Sequence, residues 1–130
     1  MSEHTHTTEL TRREAVEALM SKEGGVGVID FWAPWCGPCR TLAPQFAAVA
    51  EEYAEQPVTF YKLNTEAHPA LSKAFNVRAL PTLLFVHDGE IMDAHIGVIS
   101  RKGLIDKVEL LLSKARGESF WDRLIGRRKE

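Results

Sequence analysis

Residues Val26 to Arg40 read VGVIDFWAPWCGPCR, and this stretch holds both cysteines of the chain, Cys36 and Cys39. Val26 to Trp32 is a nearly continuous apolar run, the pattern of a strand covered on both faces. Asp30 nevertheless sits inside it, six residues ahead of Cys36. A carboxylate on a covered strand is costly unless it has partners or takes up a proton. Pro38 suits the first turn of a helix, which places Cys36 at or just before the helix start. Unpaired backbone N–H groups and the positive end of the dipole stabilise a thiolate there. Cys39, one turn on, falls within reach of the first sulfur and can close a disulfide in a small ring. Cys36 is therefore the candidate nucleophile and Cys39 the resolving thiol.

The competing reading of the pair is half of a zinc site. A structural zinc site wants four ligands, and the chain has no second cysteine pair. Its five histidines, His4, His6, His68, His87 and His95, show no spacing that completes one. Redox chemistry is favoured and no metal is expected.

Bulk properties set the frame. At 130 residues the chain is one domain's worth, long enough to bury a core without staples. Hydrophobic residues make up 45% and charged residues 26%, ordinary for a globular protein. A formal net charge of −2 supplies no basic field, so composition gives no case for nucleic-acid binding. No apolar run approaches the roughly 20 residues of a spanning helix. The opening MSEHTHTTEL lacks the basic and apolar regions of a secretory signal, so a cytoplasmic location is expected. In that reducing compartment, closely spaced cysteines point to catalysis rather than to a permanent staple.

Outside the cysteine stretch, Thr7 to Leu10 reads as a short strand. Thr11-Arg12-Arg13-Glu14 has capping-box spacing, and Val16, Leu19 and Met20 recur on one face, which predicts a helix from about Arg12 to Lys22. After the cysteines, Leu42, Phe46, Val49 and Tyr53 keep helical spacing, with a kink expected at Pro44. Val58 to Leu63 is a further strand, followed by a short helix with Leu71, Ala74 and Phe75 inward. Thr82 to Val86 and Ile91 to Ile96 flank Asp88-Gly89, a strong hairpin signal. Ser100 can cap a last helix whose Leu104, Ile105, Val108, Leu111 and Leu112 form a core stripe, and Gly117 is placed to stop it. The order β-α-β-α-β-α-β-β-α describes an α/β layer structure with a parallel portion and a terminal antiparallel hairpin.

DFWAPWCGPCR resembles the active-site signature of the thioredoxin family, and further segments follow in family order. YKLNTE (Tyr61 to Glu66) resembles the central strand, VRALPTLLFVHDGE (Val77 to Glu90) the cis-proline segment and hairpin, and HIGVISRKGL (His95 to Leu104) the turn into the last helix. The likeness covers roughly Thr7 to Ala115. It implies a thioredoxin fold, a central mixed sheet of about five strands flanked by four helices. The expected division is a mobile N-terminal tail at residues 1–6, the domain at 7–115 and a C-terminal extension at 116–130.

Carried over residue by residue, the resemblance implies a protein-disulfide reductase. Cys36 attacks a client disulfide and Cys39 resolves the mixed disulfide, while Gly37 and Pro38 set the loop and its redox poise. Asp30 matches the family's buried aspartate and is the expected proton acceptor for Cys39, through a water. Lys62, on the inward side of its strand with Val58 and Phe60, matches the lysine that tunes it. A structural buried ion pair is the alternative. Pro81 matches the cis-proline facing the cysteines, and the Leu80 backbone is expected to pair with an extended client segment. Trp35, Ile96, Gly97 and Val98 complete an apolar docking surface with Gly37 and Pro38. Gly97 is read as a position where a side chain would obstruct the client, and Trp32 as a support for the active-site loop. The resemblance further implies no bound cofactor, reducing equivalents from NADPH through a thioredoxin reductase, disulfide-containing client proteins as partners, and a monomer.

Two rivals remain open at this point: a thiol oxidase or isomerase, and a binding module or chaperone that uses the docking surface without turnover. The extension RGESFWDRLIGRRKE would set Phe120, Trp121, Leu124 and Ile125 on one helical face. So short a segment is marginal as an isolated helix. A tail lying on its own domain or left mobile is preferred to a helix docking on a partner or an anionic membrane surface.

Overall fold

The computed structural model describes residues 6–117. In chain order it comprises β1 (Thr7–Glu9), α1 (Arg13–Leu19), β2 (Val26–Trp32), α2 (Gly37–Glu52), β3 (Thr59–Asn64), α3 (Pro69–Ala74), β4 (Thr82–His87), β5 (Glu90–Ile96) and α4 (Arg101–Ala115). The strands form one five-stranded sheet in the order β1-β3-β2-β4-β5. β3 runs parallel to both β1 and β2, whereas β4 is antiparallel to β2 and β5 to β4. This is the α/β mixed sheet with four helices that the sequence implies. The expectations for residues 1–5 and for the helix carrying Phe120 and Trp121 lie outside the described residues.

Strand alternation sorts the side chains into two cores. Val28, Phe60, Leu83 and Phe85 face Leu42, Phe46 and Val49 of α2 and Leu104, Val108 and Leu111 of α4. Phe46 and Phe60 meet edge to face at 5.5 Å, a geometry worth about 1 kcal/mol beyond the area buried. On the other face Ile29, Phe31, Leu63, Leu84 and Val86 pack with Val16 and Leu19 of α1 and with Leu71 and Phe75 beside them. β2 is thus covered on both sides, which explains its unbroken apolar pattern. The period of two puts Asp30 on the Val28 side, under α2.

Three local expectations need correction. α1 starts at Arg13 with Arg12 at the cap and no side-chain cap bond, so Thr11 lies one residue too early for the capping box. The helix also stops at Leu19, short of Lys22, where Ser21 Oγ donates to the Ala18 carbonyl at 2.8 Å and draws the chain out of the helix. Ala74 is exposed rather than inward, because α3 is a single short helix that rests on the sheet through Leu71 and Phe75. The other boundaries agree within a residue or two. Ser100 Oγ caps α4 by accepting from the Gly103 N–H at 3.0 Å.

The β4–β5 turn is a tight hairpin with positive φ at both Asp88 (+49°) and Gly89 (+86°), as a type I′ turn requires. Asp88 also ties the turn to the chain entering β2, since its Oδ1 accepts from the Gly25 N–H at 2.8 Å. A Cβ on Gly89 would come within 2.5 Å of the Met20 carbonyl oxygen. Gly89→Ala should therefore lower stability by about 2 kcal/mol or more, from strain and backbone overlap together. Urea denaturation measures it, and a loss under about 0.5 kcal/mol would show that the turn relaxes freely.

Candidate active site

The C-terminal end of β2 hands the chain to α2 through Ala33-Pro34-Trp35, and Cys36 takes the N-cap position in extended conformation. Pro38 falls in the first helical turn, where a missing N–H costs nothing. The Cys39 N–H donates to Cys36 Sγ at 3.2 Å, so the cap interaction that other helices draw from a serine oxygen comes here from sulfur. In the dithiol form the same N–H and the helix dipole favour a Cys36 thiolate. The two sulfurs are joined as a disulfide. Both cysteines are buried, packed with Ala33 and flanked by Trp32 and Leu80.

The pair is nonetheless asymmetric. Cys36 forms part of the wall of a cavity of about 600 Å³, and Cys39 does not. Trp35, Gly37 and Pro38 line the same side, and Trp35 is 68% exposed. The opposite side is Leu80 with Val77, Arg78 and Ala79 before it, and Thr65 and Ser72 close one end. Of these, sequence reasoning found only Leu80. The missed residues lie in the β3–α3 turn, in α3 and in the loop before β4, segments whose composition carries no distinctive chemistry. The signal available was adjacency to the cis-proline motif.

The Leu80–Pro81 peptide bond is cis. The Pro81 carbonyl accepts from the Gly97 N–H at 2.9 Å, which ties this segment to Ile96-Gly97-Val98. Ile96 and Val98 are 67% and 44% exposed, so the apolar edge expected there is present, although none of these three residues lines the cavity. Gly97 has φ of +99°, and a Cβ there would meet nothing within 4 Å among the described residues. The immediate reason for glycine is thus backbone conformation.

On β2, the strand that leads into the cysteine turn, the register with β3 pairs Asp30 with Lys62. Both side chains are buried, at 1% and 6% exposed, and Lys62 Nζ lies 3.9 Å from Asp30 Oδ2. That separation is too long for a hydrogen bond, and neither carboxylate oxygen has another partner among the described residues. Burial pushes the Asp30 carboxyl up to about 7; Lys62 opposes the shift and the charge of Glu9 adds to it. Lys62 Nζ also stands 4.9 Å from the centre of the Trp32 ring, a cation–π arrangement. The structure therefore joins the buried Asp30 and Lys62 with the half-buried Trp32 on the face that α2 covers.

Such an arrangement can exchange disulfides: a sulfur nucleophile at a helix start, a second sulfur one turn on, and a buried carboxyl raised toward neutrality on the strand that leads into that helix. Comparison with known proteins agrees. The chain is 42% identical over 86 residues to a chloroplastic M-type thioredoxin of Spinacia oleracea, a match covering 66% of this chain and 47% of that protein. It is 45% identical over 82 residues to the chloroplastic M-type thioredoxin of Pisum sativum, covering 63% and 47%. The matched stretch thus spans about half the length of these relatives. Among solved structures, oxidised mitochondrial thioredoxin 3 of Saccharomyces cerevisiae superposes with a TM-score of 0.72 at 30% identity, covering 83% of this chain and 98% of that one. The chloroplastic relatives overturn the cytoplasmic location expected above, which rested only on the composition of the first ten residues. The thioredoxin family model matches residues 6–110, and with the CGPC turn, the cis-proline and the mixed sheet all in place the chain belongs to the thioredoxin family.

Proposed function

We propose that this protein reduces disulfide bonds in client proteins by dithiol–disulfide exchange. The observation that carries the reading is the Cys36–Cys39 disulfide at the start of α2, with Cys36 alone on the cavity wall. In the dithiol form, the Cys36 thiolate attacks one sulfur of a client disulfide. The client S–S bond breaks, its distal sulfur leaves as a thiolate and takes a proton, and a Cys36–client disulfide forms. Cys39 then gives its proton to Asp30, through a water, and attacks Cys36 Sγ. The second client sulfur leaves as a thiolate and is protonated from solvent, to which Asp30 returns its proton; two electrons have passed to the client, and the protein is left as the disulfide. Lys62 opposes protonation of Asp30 and so sets how readily the proton moves.

Client approach uses Trp35, Gly37, Pro38, Leu80, Ile96, Gly97 and Val98 as the contact surface, with Pro81 holding Leu80 beside the cysteines. Trp32 supports the loop from within. The protein binds no cofactor of its own in this reading. Two electrons from NADPH, delivered by a flavoprotein thioredoxin reductase, restore the dithiol.

Reduction of insulin disulfides with dithiothreitol as electron donor tests the reading without depending on a particular reductase. The wild type should accelerate precipitation of the insulin chains, and Cys36→Ser should lose at least about a thousandfold of that rate. A wild type no faster than dithiothreitol alone would turn the assignment to a binding module. Adding NADPH and a reductase then checks the proposed electron source.

A further inference from the structure

The cavity beside Cys36 mixes apolar side chains such as Trp35, Val77 and Leu80 with the hydroxyl-bearing Thr65 and Ser72. Among the described residues that line it, Arg78 is the only charged one. The side chain is exposed and has no carboxylate partner among the described residues. Its side-chain hydrogen bond among the described residues is weak and local, Nε donating to Asn76 Oδ1 at 3.4 Å. Asn76 itself has φ of +60°, a left-handed conformation at the end of α3 that turns the chain toward the cavity. Of the other surface cations, Arg40 donates to the Pro34 carbonyl at 2.6 Å, and Lys102 and Lys107 pair with Asp106 and Asp93. Glu66 follows Thr65 in sequence but is not part of the cavity wall.

We propose that Arg78 selects among clients, favouring disulfides whose attacked cysteine lies within about three residues of an Asp or Glu in an extended segment. This rests on the reductase reading above and names the kind of client that reading leaves open. Arg78 stands two positions before Leu80, on the same wall as the backbone that an extended client would follow. Neighbouring residues of an extended chain are about 3.3 Å apart, so a side chain two or three residues from the attacked cysteine reaches Arg78 when that cysteine meets Cys36. A guanidinium on an otherwise uncharged wall is a fork for a carboxylate, and it opposes a lysine at the same place. The Coulomb term acts on encounter and on the lifetime of the docked pair, so it appears in the second-order rate constant.

The experiment uses the full-length reduced protein and decapeptides with one cysteine activated as a 2-thiopyridyl disulfide, a neutral leaving group. One series carries Glu, Gln or Lys two residues before the cysteine, and a second carries them two residues after it. Release of 2-thiopyridone gives the rate constant for attack by Cys36. In at least one series the wild type should prefer Glu to Lys by about three- to tenfold at low ionic strength, as expected for gaining one exposed ion pair and relieving one repulsion. That ratio should fall toward one in about 0.5 M salt. Arg78→Gln should remove the preference, Arg78→Glu should reverse it and Arg78→Lys should keep most of it, whereas Lys102→Gln on α4 should leave it as in the wild type. A merely structural role for Arg78 would change rates for all peptides alike and leave the ratios intact. Equal wild-type rates for Glu and Lys in both series, or a preference that survives Arg78→Gln, would overturn the proposal while the Gln peptides still report reductase activity. Failure of every peptide and of insulin would overturn the reductase reading and this inference with it.

Discussion

Cys39→Ser should halt the exchange halfway, with client proteins held on Cys36 as mixed disulfides that persist for hours. Cys36 lies on the cavity wall and keeps its N-cap position in this variant, so the first attack should proceed at nearly the wild-type rate. The second step loses its nucleophile. Cys39 is three residues along the same helix and already bonded to Cys36, so it acts as a prepositioned intramolecular thiol. Effective molarities of such groups are large, and release should slow by roughly 10³-fold or more. Mass spectrometry of the trapped adduct and stopped-flow release of a labelled peptide measure the two steps separately. Wild-type release in Cys39→Ser would mean that an external thiol resolves the intermediate and that Cys39 has another role. The trapped proteins would also show whether acidic residues cluster beside the captured cysteines, as the place of Arg78 on the cavity wall requires.

The second large effect belongs to Asp30. Its carboxyl is raised from an ordinary 3.8 to about 7, chiefly by burial, which means that the folded state holds this proton more tightly than the unfolded chain does. The corresponding stability is fully present below about pH 4 and is lost as pH rises through about 7. The full span corresponds to an upper bound of roughly 4 kcal/mol. Asp30→Asn carries no ionisable group there, so its stability relative to the wild type should rise between pH 4 and 8 and then level off. Urea denaturation at pH 5 and pH 8 tests this, and an equal difference at the two values would show that the carboxylate is solvated in the folded state. Kinetically the variant should keep attack by Cys36 but release the mixed disulfide about ten- to a hundredfold more slowly at pH 7, within the range for loss of a general base. The wild-type release rate should rise with pH through about 7 and the variant should lack that inflection. A variant as fast as the wild type would assign Asp30 and Lys62 to structure alone. More stable and slower is the expected combination, a group retained for its chemistry despite the cost of burying it.

Much of this was legible in the chain itself. The order of strands and helices follows from local periodicity, since a strand covered on both faces must read like Val26 to Trp32 and an amphipathic helix must repeat like Leu104, Val108 and Leu111. The place of Cys36 at a helix start follows from Pro38 two residues later, a purely local constraint. The anomaly of Asp30 was visible for the same reason: one charge in a run whose pattern demands burial. What periodicity does not encode is which distant residues meet. That Lys62 stands across from Asp30 is fixed by the β2–β3 register, and its place against the Trp32 ring by packing under α2. The far wall of the cavity depends on how the β3–α3 turn and the loop before Pro81 fold over the cysteines. Local signals also misplaced the ends of α1 and the facing of Ala74, where a serine bond and the seating of a short helix on Leu71 and Phe75 outweighed spacing. The sequence alone therefore determined the sulfur chemistry and the frame that holds it. Only the tertiary structure decided what surrounds it, because long-range register and loop packing bring together residues that no local pattern relates.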